Sequence, residues 1–447
     1  MPYQAGNRLP GERASRIGHL EVLKSPLVRQ LCENFQKPEI PRECKNLDWQ
    51  PIDTDADSLK YIFGVDGSTQ IIRSDTSPYS TIGFVKTALL KIDQYELAKV
   101  DKDSPHPYVI RDILQDSAIY HATAFPLRNI GIRGLTNYHA IREILYESIN
   151  DNSPEMEGQI METYKWLAYR KWTDEQDQLT YFECPHCHSR NATLPFDAQE
   201  GTCPHCGKKL LITDWLGFHQ EMGEESAQDT VATTYMNIHE TLLLFTAIRT
   251  YWEKKSKILS ECLFVKDGPL SIRAQYSKLV QPIRQFLAYS QDQGLPVHLL
   301  GQEKSGRFFD HFQFIGNEAP DRSLFIPSDA YVKTQIQQRP LEGAEYGFDT
   351  NYGAKIFLKW NDYHKMILNI PFGEFVANPN LEDLIGHQRI FATLPKILSN
   401  RHEGALLPIE LAHGIASLST YPSARILKLF AVNSGPVEIL FLAENEN

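Results

Sequence analysis

What this chain lacks narrows its reading first. No run of apolar residues approaches the about 18 that a membrane-crossing helix needs; the longest candidate, LLLFTAI at 242–248, is one side of an amphipathic pattern. The opening residues MPYQAGNRLPGERASR contain no apolar core of a signal peptide, so a cytoplasmic location is expected. No GxxxxGK[ST] occurs, so no phosphate loop is available to power movement with ATP. Internal repeats and low-complexity tracts are missing too. Positive charge is in deficit: 45 Lys and Arg against 56 Asp and Glu leave a formal net charge of −11. Such a surface does not coat nucleic acid, although a local site whose metal ions neutralise phosphates remains open to it.

What is present describes an ordinary soluble composition. The 447 residues, 42% hydrophobic and 23% charged, can bury a large core and could form two or three domains. Cysteine is scarce, at 7, yet four of the seven lie in two close pairs. Cys32, Cys44 and Cys262 are scattered. In a reducing compartment this spacing points to metal rather than disulfides.

The pairs read Cys184-Pro-His-Cys187 and Cys203-Pro-His-Cys206, with residues 188–202 between them. Each turn directs two thiolates to one side, and two such turns complete a tetrahedral four-cysteine zinc site. Four thiolates close the ion's coordination, so the zinc is structural. CPHCH also matches the attachment pattern of a c-type haem, but that requires export and leaves the second pair unexplained. His186, His188 and His205 are expected to be exposed, although one could replace a cysteine as ligand.

The rest of the chain is organised around NIHETLLLFTAIRTYWEKKSKILSECLFVKDGPL, residues 237–270. It begins as a helix in which Glu240 has Met236, Leu243, Leu244 and Ala247 as its i−4, i+3, i+4 and i+7 neighbours, so its carboxylate lies on the apolar stripe. A carboxylate facing a core needs a partner. The strand CLFV then ends on Asp267, where Gly268 and Pro269 turn the chain. Residues 61–68, YIFGVDGS, repeat the pattern: an apolar run ending in Asp66-Gly67, each glycine free to take positive φ. Three carboxylates could therefore converge on divalent ions, and oxygen-only ligation suits Mg2+ or Mn2+. The plainer alternative pairs Glu240 with a buried arginine and leaves Asp267 as a turn former.

Periodicity divides the chain into an N-terminal accessory or dimerisation arm at 1–60, with a helix over Ile17–Phe35, and a strand meander opening a mixed α/β core at 61–150. In the meander YIFGVDGS, TQIIRS and IGFVKTALLKID read as separate strands. A helical and zinc-ribbon insertion follows at 151–230, and the second part of the core at 231–447. Helices are expected over Tyr138–Ile149, Met156–Trp172, Ser271–Gln291, Asn380–Leu398 and from about Pro408. Strands are expected at LPVHLLGQ, in a hairpin within 340–376 and in the final PVEILFLA.

VDGS after an apolar strand, the helix bearing Glu240, VKDGPL and the late helix LLPIELAHGIASL together resemble the NurA nuclease family, over about Tyr61–Ser74 and Met236–Leu440. The resemblance implies a ribonuclease-H-like mixed sheet core, here with the ribbon inserted, and a metal-dependent DNA nuclease, best with manganese. It also implies a HerA-like hexameric ATPase as partner, in DNA end processing or phage defence. Residue by residue, it places Asp66, Glu240 and Asp267 in the catalytic metal site, His413 beside them as ligand or proton shuttle, and Lys304 of GQEKSGRF as a phosphate clamp. Taken from the residues alone, His413 reads as a capped core histidine and Lys304 as a surface lysine. The ribbon insertion and the long Glu240–Asp267 interval depart from the family pattern. Glu253 is the fallback for Glu240, although Lys254, Lys255 and Lys257 mark its face as solvated. A non-catalytic DNA-binding adaptor using the ribbon, and a scaffold capping a ring-shaped ATPase, are the competing readings. A homodimer presenting paired sites to the ring is the simplest assembly.

Overall fold

The computed structural model describes residues 22–35, 47–74, 78–101, 103, 118–153, 156–218, 230–419 and 423–433. The chain divides into two compact units, 1–46 and 47–447. In the first, helix α1 (Pro26–Asn34) starts where proline's fixed φ suits the first turn, with the Ser25 side chain accepting from the Val28 N–H at 3.4 Å. Residues 17–21 of the expected N-terminal helix, and the expected C-terminal strand PVEILFLA, lie outside the described residues.

The second unit is built on a mixed sheet of nine strands among the described residues: β1 (Gln50–Pro51), β2 (Tyr61–Arg73), β3 (Thr81–Asp93), β4 (Ala118–Arg128), β7 (Cys262–Asp267), β8 (His298–Glu303), β9 (Ser323–Phe325), β10 (Gly353–Lys359) and β11 (Lys365–Pro371). Two further short strands, β5 (Glu200–Thr202) and β6 (Lys209–Leu211), pair antiparallel inside the cysteine segment. The large sheet runs β1-β9-β10-β11-β8-β7-β2-β3-β4. β2, β3 and β4 form an antiparallel meander, β2 pairs parallel with β7 and β7 parallel with β8, and the rest is antiparallel.

Strand alternation sorts the sheet's residues onto two cores. Phe63, Val65 and Phe264 face a core shared with α2 (Asn137–Ile149), α3 (Gln159–Ala168), the long α4 (Thr230–Lys254) and α5 (Val280–Asp292). Ile62, Leu263 and Val265 face the other, shared with α6 (His387–Ile397) and α7 (Leu407–Ala416). Because β7 is covered on both faces, CLFVKD reads as an almost unbroken apolar run.

Two expectations are corrected here. YIFGVDGS and TQIIRS form one strand, so Asp66 sits in the middle of β2 rather than at its tip, and Thr69–Arg73 continue the pairing with β3 as far as Thr81. Gly67 is therefore extended, whereas Gly268, after Asp267, does take a left-handed φ of 92°. β4 was not expected: its AIYHATAFPLR pattern is broken by Pro126, which is tolerated because β4 is the last strand of the sheet and bulges where Thr81 and Ile82 meet it.

Candidate active site

β2 and β7 set the centre. Val65 pairs with Lys266, so Asp66 and Asp267 occupy matched positions on adjacent parallel strands and share a face. α7 brings His413 to that face, and it approaches closely because residue 64 is glycine: a Cβ there would lie 2.5 Å from the Pro408 carbonyl oxygen. His413 Nδ1 lies 2.7 Å from Asp66 Oδ2, and the Gly67 N–H donates to Asp66 Oδ1 at 2.7 Å. Lys304, just beyond β8, donates to Asp267 Oδ2 at 3.1 Å. Asp267 and Lys304 are partly open to solvent, Asp66 is buried, and a 230 Å³ cleft lined by Lys304, His413, Glu410 and Phe309 opens beside them.

Glu240 approaches from α4 on the opposite face. Its helix lies tight against β2 at Gly67, where a Cβ would stand 2.6 Å from Glu240 Oε1 and 2.5 Å from Met236 Cγ. The Glu240 partner is Lys266, not an arginine: the ammonium donates to Glu240 Oε2 at 2.9 Å and to the Asp267 carbonyl at 3.0 Å. Both side chains are buried, Lys266 completely. Burial alone would drag the lysine's pKa down, but the Glu240 carboxylate outweighs it and holds the ammonium protonated.

The electrostatic consequence falls on Asp66. Burial first, then the charges of Asp267 and Glu240, push its carboxyl up to about 8, against the opposing pull of Lys304 and the Gly67 N–H. An acid pushed that high by burial and by neighbouring acids marks a site short of positive charge, and its oxygen donors are of the kind hard divalent ions take. Yet the three acids are not gathered into one chelating cluster. Among the described residues, the only set of three or more His, Cys, Asp or Glu with ligand atoms all within 4.8 Å of one another is Cys184, Cys187, Cys203 and Cys206.

That second centre has the dimensions of a thiolate cage. Cys184 and Cys206 Sγ are 3.8 Å apart, as are Cys187 and Cys203 Sγ, matching the about 3.8 Å edge of a tetrahedron with metal–sulfur bonds of about 2.3 Å. The N–H groups of His186 and His205 donate to Cys184 and Cys203 Sγ, each at 3.4 Å, as two equivalent turns should. His188 is exposed, as expected from the sequence; His186 instead bonds the Lys209 carbonyl. The segment is embedded rather than appended. Phe182, Leu194 and Trp215 join the core of α3 and α4, and Arg142 clamps Asp214 through two hydrogen bonds of 2.5 and 2.8 Å.

Of the residues singled out from sequence, Asp66, Asp267, His413 and Lys304 meet on one side of the sheet, while Glu240 meets the centre from the other. Glu253, itself exposed, instead pairs with the buried Arg249 at 3.2 Å. Lys266 was missed, although a lysine within CLFVKD, two positions from Phe264, was the signal that Glu240 had a buried cation to meet.

Fold and site thus define a mixed α/β protein with an acidic centre at adjacent strand positions and a separate four-cysteine centre. Among solved structures the chain is similar to the NurA nuclease from Sulfolobus solfataricus, at 9% identity over 95% of this chain and 97% of that one, with a TM-score of 0.31. It is also similar to NurA bound to dAMP and manganese, at 13% identity over 96% of this chain and 98% of that one (TM-score 0.30), and to NurA with manganese, at 11% over 93% and 98% (TM-score 0.24). No family model and no curated protein matches.

Proposed function

We propose that this chain is a metal-dependent deoxyribonuclease of the NurA type, built on a ribonuclease-H-like core. The observation that carries the reading is the Asp66 carboxyl, pushed up by burial first and then by Asp267 and Glu240, and touched by His413. The order β4-β3-β2-β7-β8, an antiparallel meander followed by two parallel strands, supports the core.

In this reading Asp66 and Asp267 hold Mn2+ or Mg2+, with Glu240 fixing the charge behind them. When bound, the ion activates water and stabilises charge on the leaving oxygen. His413, half exposed and bonded to Asp66, orients that carboxylate and can pass a proton to the departing group. Lys304, on the solvent side of Asp267, is placed to grip a phosphate. The cysteine centre holds a structural zinc that ties the insertion to α2 and α3.

DNA is the substrate, and a HerA-like hexameric ATPase feeding a homodimer is the proposed setting, in end processing or phage defence. One observation favours the alternative of a non-catalytic adaptor: Lys266 and Lys304 already neutralise Glu240 and Asp267. Incubating linear and plasmid DNA with the purified protein in Mn2+, Mg2+ or EDTA separates the two. Cleavage with either metal that EDTA abolishes is expected; intact DNA in all three conditions overturns the nuclease.

A further inference from the structure

Lys266 has the geometry of a resident cation. In a site that takes two divalent ions, about 4 Å apart, each acid must present an oxygen to a metal at about 2.0–2.2 Å and leave room for its waters. Glu240 can do neither. Its Oε1 lies against the backbone of β2 at Gly67, its Oε2 carries the Lys266 ammonium, and the pair has almost no exposure, 3% for Glu240 and 0% for Lys266. A third contact, from Lys266 to the Asp267 carbonyl, pins the ammonium at the root of the strand end that presents the Asp267 side chain. On the other face Asp267 is a quarter exposed, and among the described residues its Oδ2 is held by the end of a partly exposed lysine; Asp66 is as buried as Glu240, but its Oδ2 meets the half-exposed His413, which lines the cleft, and not a buried cation. One face is closed around a fixed monovalent charge, and the other is open to an ion.

We propose that Lys266 is a positioning residue whose ammonium takes the cation place beside Glu240, so that the acidic centre binds a single divalent ion, through Asp66 and Asp267, instead of two. Lys266 never touches substrate. It balances the Glu240 charge and locks the backbone at Asp267, and Glu240 serves to hold Lys266 rather than to ligate metal. This rests on the metal-dependent reading of the same site.

The test is the stoichiometry of Mn2+ on the full-length protein with its zinc retained, by titration calorimetry and by the electron paramagnetic resonance of the bound ion. Wild type is expected to take one Mn2+ per chain with no spin coupling between ions. Lys266→Arg should stay at one. Lys266→Met, which unblocks Glu240, should admit a second ion and show coupled spins. Should Lys266→Met fail to fold, Glu240→Gln decides: it should still bind one Mn2+ with an affinity within about threefold of wild type. Two ions on wild type, no second ion on a folded Lys266→Met protein, or loss of the ion from Glu240→Gln overturns the proposal. Those outcomes with cleavage intact leave the nuclease standing. A wild-type protein that neither binds Mn2+ nor cleaves DNA brings down the nuclease reading itself, and this inference with it.

Discussion

Replacing Asp267 by asparagine separates stability from chemistry more sharply than any other single change. The substitution keeps the shape of the side chain and removes its charge. In the folded protein the one ion pair it makes among the described residues is with Lys304, at 3.1 Å, with the two side chains 24% and 43% exposed, while it repels the Asp66 and Glu240 carboxylates. Exposed pairs of this kind contribute about 0–1 kcal/mol, so the melting temperature should fall by no more than about 2–4 °C. The loss of an ion ligand acts differently: charge stabilisation by a bound metal is worth several kcal/mol, and about 4 kcal/mol off the barrier corresponds to about a thousandfold in rate. Asp267 is also the largest charge raising the Asp66 carboxyl, so that group should move down from about 8 in the variant. Single-turnover cleavage of end-labelled duplex with Mn2+, run beside a thermal melt, reads both effects. Lys304→Ala breaks the same ion pair but keeps the carboxylate, and Glu253→Gln, exposed and paired among the described residues with Arg249, is the silent control. A folded Asp267→Asn protein that cleaves within a few-fold of wild type refutes the assignment.

Elemental analysis of protein purified without chelators should find one zinc per chain. Cys203→Ser should lose it and expose the 179–216 segment to proteolysis, while Mn2+ still binds the acidic centre; wild type without zinc would refute the cage. Because the Asp66 carboxyl titrates at about 8 when no metal is present, each ion bound below that pH must displace its proton. Mn2+ affinity should therefore climb by about tenfold per pH unit between 6 and 8 and level off above; a flat profile would show that Asp66 does not ligate. The sign for folding is opposite. A carboxyl raised in the folded state stabilises the metal-free protein fully below its ordinary range near 4, and that contribution is lost as pH rises through about 8. Co-expression with a HerA-like ATPase should give one co-eluting complex with faster ATP turnover and cleavage; clean separation on a sizing column, with cleavage unchanged, would end that proposal.

Local chemistry was legible along the chain. The spacing of Cys184, Cys187, Cys203 and Cys206 foretold four convergent thiolates, because two tight turns dictate where their sulfurs point. The position of Glu240 among leucines foretold a buried carboxylate, since helical periodicity alone decides which face it shares. α2, α7 and the hairpin β10–β11 follow from the same periodicities. What the sequence could not determine is who meets whom. That Asp66 lies in mid-strand depends on β3 pairing it on to Arg73, and that His413 reaches it depends on α7 closing over Gly64. That Glu240 is answered by Lys266 depends on β2 and β7 lying side by side in one register. Such contacts join residues far apart in the chain, and a periodic pattern carries no information about register between distant strands or about the identity of a buried charge's partner. Only the folded sheet supplies both.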